Sequence, residues 1–159
     1  MKPLYLGILF IAILGCASTQ PEANDTGPFT GELSASQLLG DNPAFNSTYQ
    51  TYQPSSADIS AMRLLEGKSL MVLLGTWCHD SEREVPRLLK LLNLSGVQLA
   101  KLSLHGVNYN KQEPTNLHNQ FNLRYTPTII LLDGDKEIGR IVEKPQISLA
   151  ADLAAMLTN

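Results

Sequence analysis

The chain is poor in cysteine: 159 residues contain two, Cys16 and Cys78. That count excludes a disulfide framework and any multi-cysteine zinc site. No metal or organic cofactor is expected. Basic residues are not in excess either. A net charge of −3 lacks the electrostatic footprint of a nucleic-acid binder, so no nucleic acid is expected as a partner. The apolar run at residues 4–14, broken by Gly7, is too short to span a bilayer as a stable helix. What remains is ordinary globular composition. With 43% hydrophobic and 17% charged residues, wholesale disorder is excluded and one small domain is expected once a leader is removed.

The two cysteines stand in different settings. Lys2 and the apolar run have the order and length of a signal peptide. The run ends in Ile13-Leu14-Gly15-Cys16, which resembles the lipobox of bacterial lipoproteins. The plainer alternatives are an ordinary secretory leader with an incidental cysteine, or a buried N-terminal helix. The resemblance implies cleavage between Gly15 and Cys16, with a diacylglyceryl group on the Cys16 thiol and an acylated new amino terminus. Several acyl chains anchor stably where one would not. The partner at this end is then a membrane, with the protein on its extracytoplasmic side. Ala17 rather than Asp after the cysteine implies the outer membrane, facing the periplasm, in a diderm bacterium. Lipidation would leave Cys78 as the one free thiol, in an oxidising compartment.

Four segments are expected: a leader at 1–15, a flexible tether at 16–28, an extension at 29–57 and a domain at 58–159. The tether is rich in Ser, Thr, Asn, Pro and Gly. In the extension, Leu38, Leu39, Phe45, Tyr49 and Tyr52 suggest short helical pieces, interrupted near 40–43, that pack on the domain or bind a partner. In the domain, Asp58 is expected to cap a helix running to Glu66 and ending at Gly67. Residues 70–74 (LMVLL) read as a strand buried on both faces. A helix is expected over 78–93, a strand over 97–104 and a short helix within 114–121. A hairpin follows, with strands 128–132 and 137–142 about Asp133-Gly134-Asp135. Ser148 caps a last helix whose Leu149, Leu153, Met156 and Leu157 point inward. The order βαβα then ββα predicts an α/β domain with a central mixed sheet flanked by helices.

Within that order, Trp77-Cys78-His79-Asp80-Ser81 resembles the Trp-Cys-x-x-Cys motif of the thioredoxin-like family, with Ser81 in place of the second cysteine. Pro86 falls where that family interrupts the following helix. Ala100-Lys101-Leu102 is similar to a run in its next strand. Arg124-Tyr125-Thr126-Pro127-Thr128-Ile129 is similar to the segment that holds its cis-proline. The resemblance covers about residues 58–159 and implies a thioredoxin-like fold, with the Thr126–Pro127 bond cis and Pro127 opposite Cys78. It further implies Cys78 as the reactive thiol, with Trp77, Thr126 and Pro127 as contacts for a disulfide- or thiol-bearing protein or small molecule.

The chemistry is intelligible from the residues. A thiol reacts as thiolate, which the unpaired amides and positive dipole end of a helix N-terminus stabilise. Protonated His79 would act in the same direction; Asp80, Glu82 and Glu84 would oppose it. Ser81 either donates a hydrogen bond to the thiolate or marks a lost activity. The family's buried acid, six residues before the first cysteine, is here Val72, while its partner lysine persists as Lys101. A single-thiol protein has less need of that acid. The expected activity is the formation of mixed disulfides through Cys78, as in isomerisation or deglutathionylation. The alternative is a non-catalytic module that binds an envelope protein or peptide.

Overall fold

The computed structural model describes residues 27–158. The leader, Cys16 and most of the tether lie outside the described residues. Among these, no helix is long and apolar enough to cross a membrane.

Among the described residues twelve elements follow one another: β1 (Gly31–Leu33), α1 (Ala35–Asp41), α2 (Pro43–Thr51), α3 (Ser56–Met62), a 3-10 turn (Arg63–Leu65), β2 (Ser69–Leu74), α4 (His79–Ser95), β3 (Lys101–Gly106), α5 (Leu117–Gln120), β4 (Thr128–Asp133), β5 (Lys136–Val142) and α6 (Leu149–Met156). The strands form one sheet in the order β1-β3-β2-β4-β5. Among the described residues only β2 and β3 are parallel, joined by the crossover helix α4; β1, β4 and β5 pair antiparallel. The architecture is thus mixed α/β, a five-stranded mixed sheet flanked by helices.

Strand alternation divides the side chains between two faces. Leu70, Val72, Leu74, Leu104, Ile129, Leu131 and Ile141 face a continuous core completed by Val85, Leu88 and Leu91 of α4 and Leu149 and Leu153 of α6. Met71, Leu73, Ser103, His105, Thr128 and Ile130 project from the opposite face. The chain between β3 and β4 covers that side, and Arg140 of β5 donates to the Phe121 carbonyl across it (2.8 Å). The continuous apolar run in β2 has this simple cause: both faces of the strand are covered.

The extension is more deeply integrated than its polar composition suggests. Leu33, Leu38 and Phe45 belong to the same core as β2 and α4. Gly31-Glu32-Leu33 adds an edge strand that was not expected, being too short to show alternation. Three further boundaries differ from expectation. Ser55, not Asp58, caps α3: its hydroxyl oxygen accepts from the Asp58 amide (3.1 Å). Asp58 instead accepts from the hydroxyls of Ser148 (2.6 Å) and Ser55 (2.7 Å), which, Ser148 foremost, hold its carboxyl below the usual carboxylate range. Ser148 also caps α6 as expected, accepting from the Ala151 amide (3.1 Å), so one hydrogen-bond chain ties α3 to α6. β3 starts at Lys101 rather than 97. Residues 97–100 instead bond to the turn that leads into β2, where the Gly67 amide donates to the Gln98 carbonyl (2.9 Å) and the Ala100 amide to that of Lys68 (2.8 Å), and the regular ladder begins only after them. Finally, α4 begins one residue after Cys78 and runs to Ser95, where Gly96 adopts φ +67°, the left-handed cap that glycine tolerates.

Candidate functional site

The central strand β2 ends at Leu74 and the chain turns sharply before α4. The Cys78 amide donates to the Gly75 carbonyl (3.0 Å), closing the turn, and the Glu82 amide donates to the Cys78 carbonyl (2.9 Å), starting the helix. Cys78 is therefore the N-cap residue of a 17-residue helix, half-buried, in extended conformation (φ −99°, ψ 123°). Further along, Pro86 has no amide to offer the Glu82 carbonyl, and the helix continues through it.

The antiparallel pairing of β4 with β2 sets the segment before β4 against this turn. The Thr126–Pro127 peptide bond is cis. Cys78 Sγ donates to the Thr126 carbonyl oxygen at 3.1 Å. Thus Cys78, Thr126 and Pro127 come together across 48 positions of sequence. A bond of this kind exists only while the sulfur holds its proton. The thiol makes no capping bond to the amides of α4.

Trp77 forms one wall. Its indole Nε1–H donates to the Val107 carbonyl (3.0 Å), and its ring meets Tyr109 with centroids 5.2 Å apart. Gly75 lies directly under the indole: a Cβ there would come within 2.8 Å of the ring, so no larger residue fits without displacing Trp77.

Two expected participants are placed elsewhere. The Ser81 side chain is fully buried, and its oxygen accepts from the Gly75 amide (3.2 Å), so it fixes the turn rather than the thiol. The physical reason is the helix start: Ser81 lies one turn into α4 and meets the end of β2. The His79 side chain is 99% exposed and pairs through Nδ1 with Glu82 (3.1 Å), turned away from Cys78. Val72 lies in the buried centre of β2, on the core side. Lys101 is exposed at the start of β3, at the far end of the sheet.

The sequence reading missed an acid–base cluster on α4 beside the site. The buried Glu84 carboxylate accepts from Arg83 Nε (2.6 Å) and Arg87 Nη1 (3.4 Å), and Arg83 also donates to Asp80 (2.7 Å). Glu84 first, and Asp80 with it, holds the Arg83 guanidinium above its usual range. Asp80, Arg83 and Glu84 face Glu143, Lys144 and Pro145 across an open polar cleft. That cleft adjoins Pro127, whose carbonyl accepts from the Glu143 amide (2.8 Å). The i, i+3 spacing of Asp80 with Arg83 and of Glu84 with Arg87 was the available signal. For Tyr109 there was none, since it reaches Trp77 only through the fold.

The histidines do not converge on the thiol. His105 is buried under the covered face of the sheet, and burial pushes its imidazole below the usual histidine range. His118 donates through Nδ1 to Glu113 (3.1 Å) in the chain between β3 and β4. Among the described residues, no group of three or more His, Cys, Asp or Glu side chains is placed to hold a metal ion.

No protein-family profile matches the chain, and no curated protein sequence does. Solved structures do resemble it. An HIV epitope-scaffold protein is similar with a TM-score of 0.60 and 19% identity, covering 80% of this chain and 93% of that one. A protein of unknown function from Pseudomonas aeruginosa is similar at 0.59 and 19%, covering 80% and 92%. At such identities the likeness is one of fold alone. Oxidised mitochondrial thioredoxin 3 from Saccharomyces cerevisiae is more distant, with a TM-score of 0.36 and 17% identity over 60% of this chain and 86% of that one.

Proposed function

We propose that this chain is a thioredoxin-like, single-thiol protein that exchanges disulfides through Cys78. It would be held on the extracytoplasmic side of a bacterial membrane by a lipid on Cys16. The observation that carries the reading is the meeting of a half-buried thiol at the start of a long helix with Thr126 and the cis-bonded Pro127. In the exchange, the Cys78 thiolate attacks one sulfur of a substrate disulfide. One S–S bond breaks, a mixed disulfide with Cys78 forms, and the other substrate sulfur leaves as thiolate and takes up a proton. No external oxidant is consumed. Ser81 cannot resolve the adduct, so release falls to the substrate's own second thiol or to a small external thiol.

A second reading is a non-catalytic module that binds a protein or peptide beside Thr126 and Pro127. Two observations favour it: the thiol proton is given to the Thr126 carbonyl, and His79 is turned away.

Oxidised glutathione separates the two. In the folded chain Cys78 is expected to gain a glutathionyl group, located by peptide mapping, and Cys78→Ser is expected to gain none at that peptide. If Cys78 in the folded chain stays unmodified while the urea-unfolded chain reacts, exchange is ruled out and the binding module stands. The anchor has its own test: Cys16→Ser should accumulate as uncleaved precursor without acyl label. Normal processing of that variant would remove the lipoprotein assignment.

A further inference from the structure

A further, partly open concavity lies at the end of the sheet opposite Cys78. Its floor is the covered face where Met71 of β2 pairs with Ser103 of β3, beside Leu132 of β4. Leu117 and Phe121, at and just past α5, form its roof, and Lys101 and Asp135 stand at its rim. The cavity measures about 280 Å³. We infer that it binds a small monocarboxylate with an apolar body, such as an aryl-alkanoate.

Three features support this. First, Ser103 is 2% exposed, yet its hydroxyl has no hydrogen-bond partner among the described residues. An unpaired buried hydroxyl costs free energy and calls for a partner. Strand alternation puts it on the cavity side, because Leu102 and Leu104 on either side of it pack with the opposite core. Second, Lys101 projects from the same face, two residues from Ser103, at a separation of roughly 7 Å that a lysine side chain can bridge. Unlike Lys68, which pairs with Asp133 at 2.8 Å, Lys101 makes no ion pair among the described residues. One carboxylate can therefore accept from both the ammonium and the hydroxyl. Third, although Ser69 and Gln120 also line the cavity, Met71, Leu117, Phe121 and Leu132 give it an apolar stretch that suits a hydrocarbon or aryl body. The volume, at the low end for ligand sites, limits that body to about one ring and a short chain. Asp135 on the rim repels a second negative charge, so the ligand carries one.

The site shares no residue with the thiol site, and it stands or falls separately from the exchange reading. The probe is 3-phenylpropionate, with its neutral amide as control, titrated into the isotopically labelled full chain and followed by amide chemical shifts. Saturable shifts are expected at Lys101, Ser103, Leu117 and Phe121, with the carboxylate binding roughly tenfold or more tightly than the amide. Lys101→Met, on an exposed side chain, should keep the fold and bring the carboxylate down to the affinity of the amide. Ser103→Leu should fill the cavity and remove both responses. Absence of saturable shifts at these residues in the folded chain overturns the inference. So does equal binding of acid and amide, or unchanged binding in Lys101→Met.

Discussion

Phe45→Ala is expected to destabilise the whole domain by about 3–5 kcal/mol, a large part of the total for a chain of this size. Phe45 is fully buried, although it lies in the extension before the motif-bearing region. Its helix, α2, packs on α4 through more than one kind of contact. The Tyr49 hydroxyl accepts from Asn93 (3.1 Å), Lys90 lies 4.8 Å from the Tyr49 ring centroid, and Arg87 lies 5.4 Å from that of Tyr52. Truncating Phe45 opens a cavity in the core that the sheet and α4 share. Urea unfolding should accordingly remain one transition, shifted to lower urea, by both far-UV circular dichroism and Trp77 fluorescence. Trp77 reports from the thiol end of the sheet, on the turn between β2 and α4. Should its transition stay in place while only some helical signal is lost early, the extension would be a separable flap.

Glu113→Gln should produce the second large effect, and it should depend on pH. Burial would raise the pKa of Glu113. Hydrogen bonds from Thr115 and His118, from both side chains and backbone, outweigh that and bring it down to about 2. A carboxyl with a folded pKa below its unfolded value of 4.5 contributes stability that is fully present above 4.5 and is lost as pH falls towards about 2. The shift corresponds to roughly 3 kcal/mol at neutral pH. Wild type should exceed Glu113→Gln by about that much at pH 7, and the two stability curves should converge between pH 4.5 and about 2. Parallel curves across that range would show that the carboxylate charge contributes nothing. His105 acts in a different window. Its imidazole is depressed by burial, so the unfolded chain binds a proton first as pH falls below 6.5, and stability declines from there in both proteins.

Much of the scaffold was legible because it rests on local rules. The unbroken run 70–74 announces a strand covered on both faces, and the apolar spacing of Val85, Leu88, Leu89 and Leu92 announces the helix after it. Asp133-Gly134-Asp135 announces the hairpin that joins β4 to β5. Ser148 is read correctly as a cap because capping is a contact over three residues. Asp58 is misread for the same local reason: Ser55 and Asp58 are both good cap residues, and only the bond made by Ser55 decides between them.

The site divides along the same line. That Cys78 begins a helix after a buried strand, and that Thr126–Pro127 is cis, were expected from motifs in the chain, and both hold in the structure. What each side chain does there was decided by the tertiary structure. Ser81 is spent on the Gly75 amide, and Trp77 rests on the Gly75 backbone against Tyr109. The thiol donates to a carbonyl far along the chain, while Glu84 is buried between two arginines. Each of these depends on which strands pair and in what register, which sets distances between residues that are remote in sequence. Periodicity, turns and caps act within a few residues, so the sequence by itself determined the elements and the place of the thiol. The partners of the thiol, the edge strand and the cavity beneath α5 arise only when the sheet closes, because hydrogen-bond geometry and packing select among contacts that local rules leave equivalent.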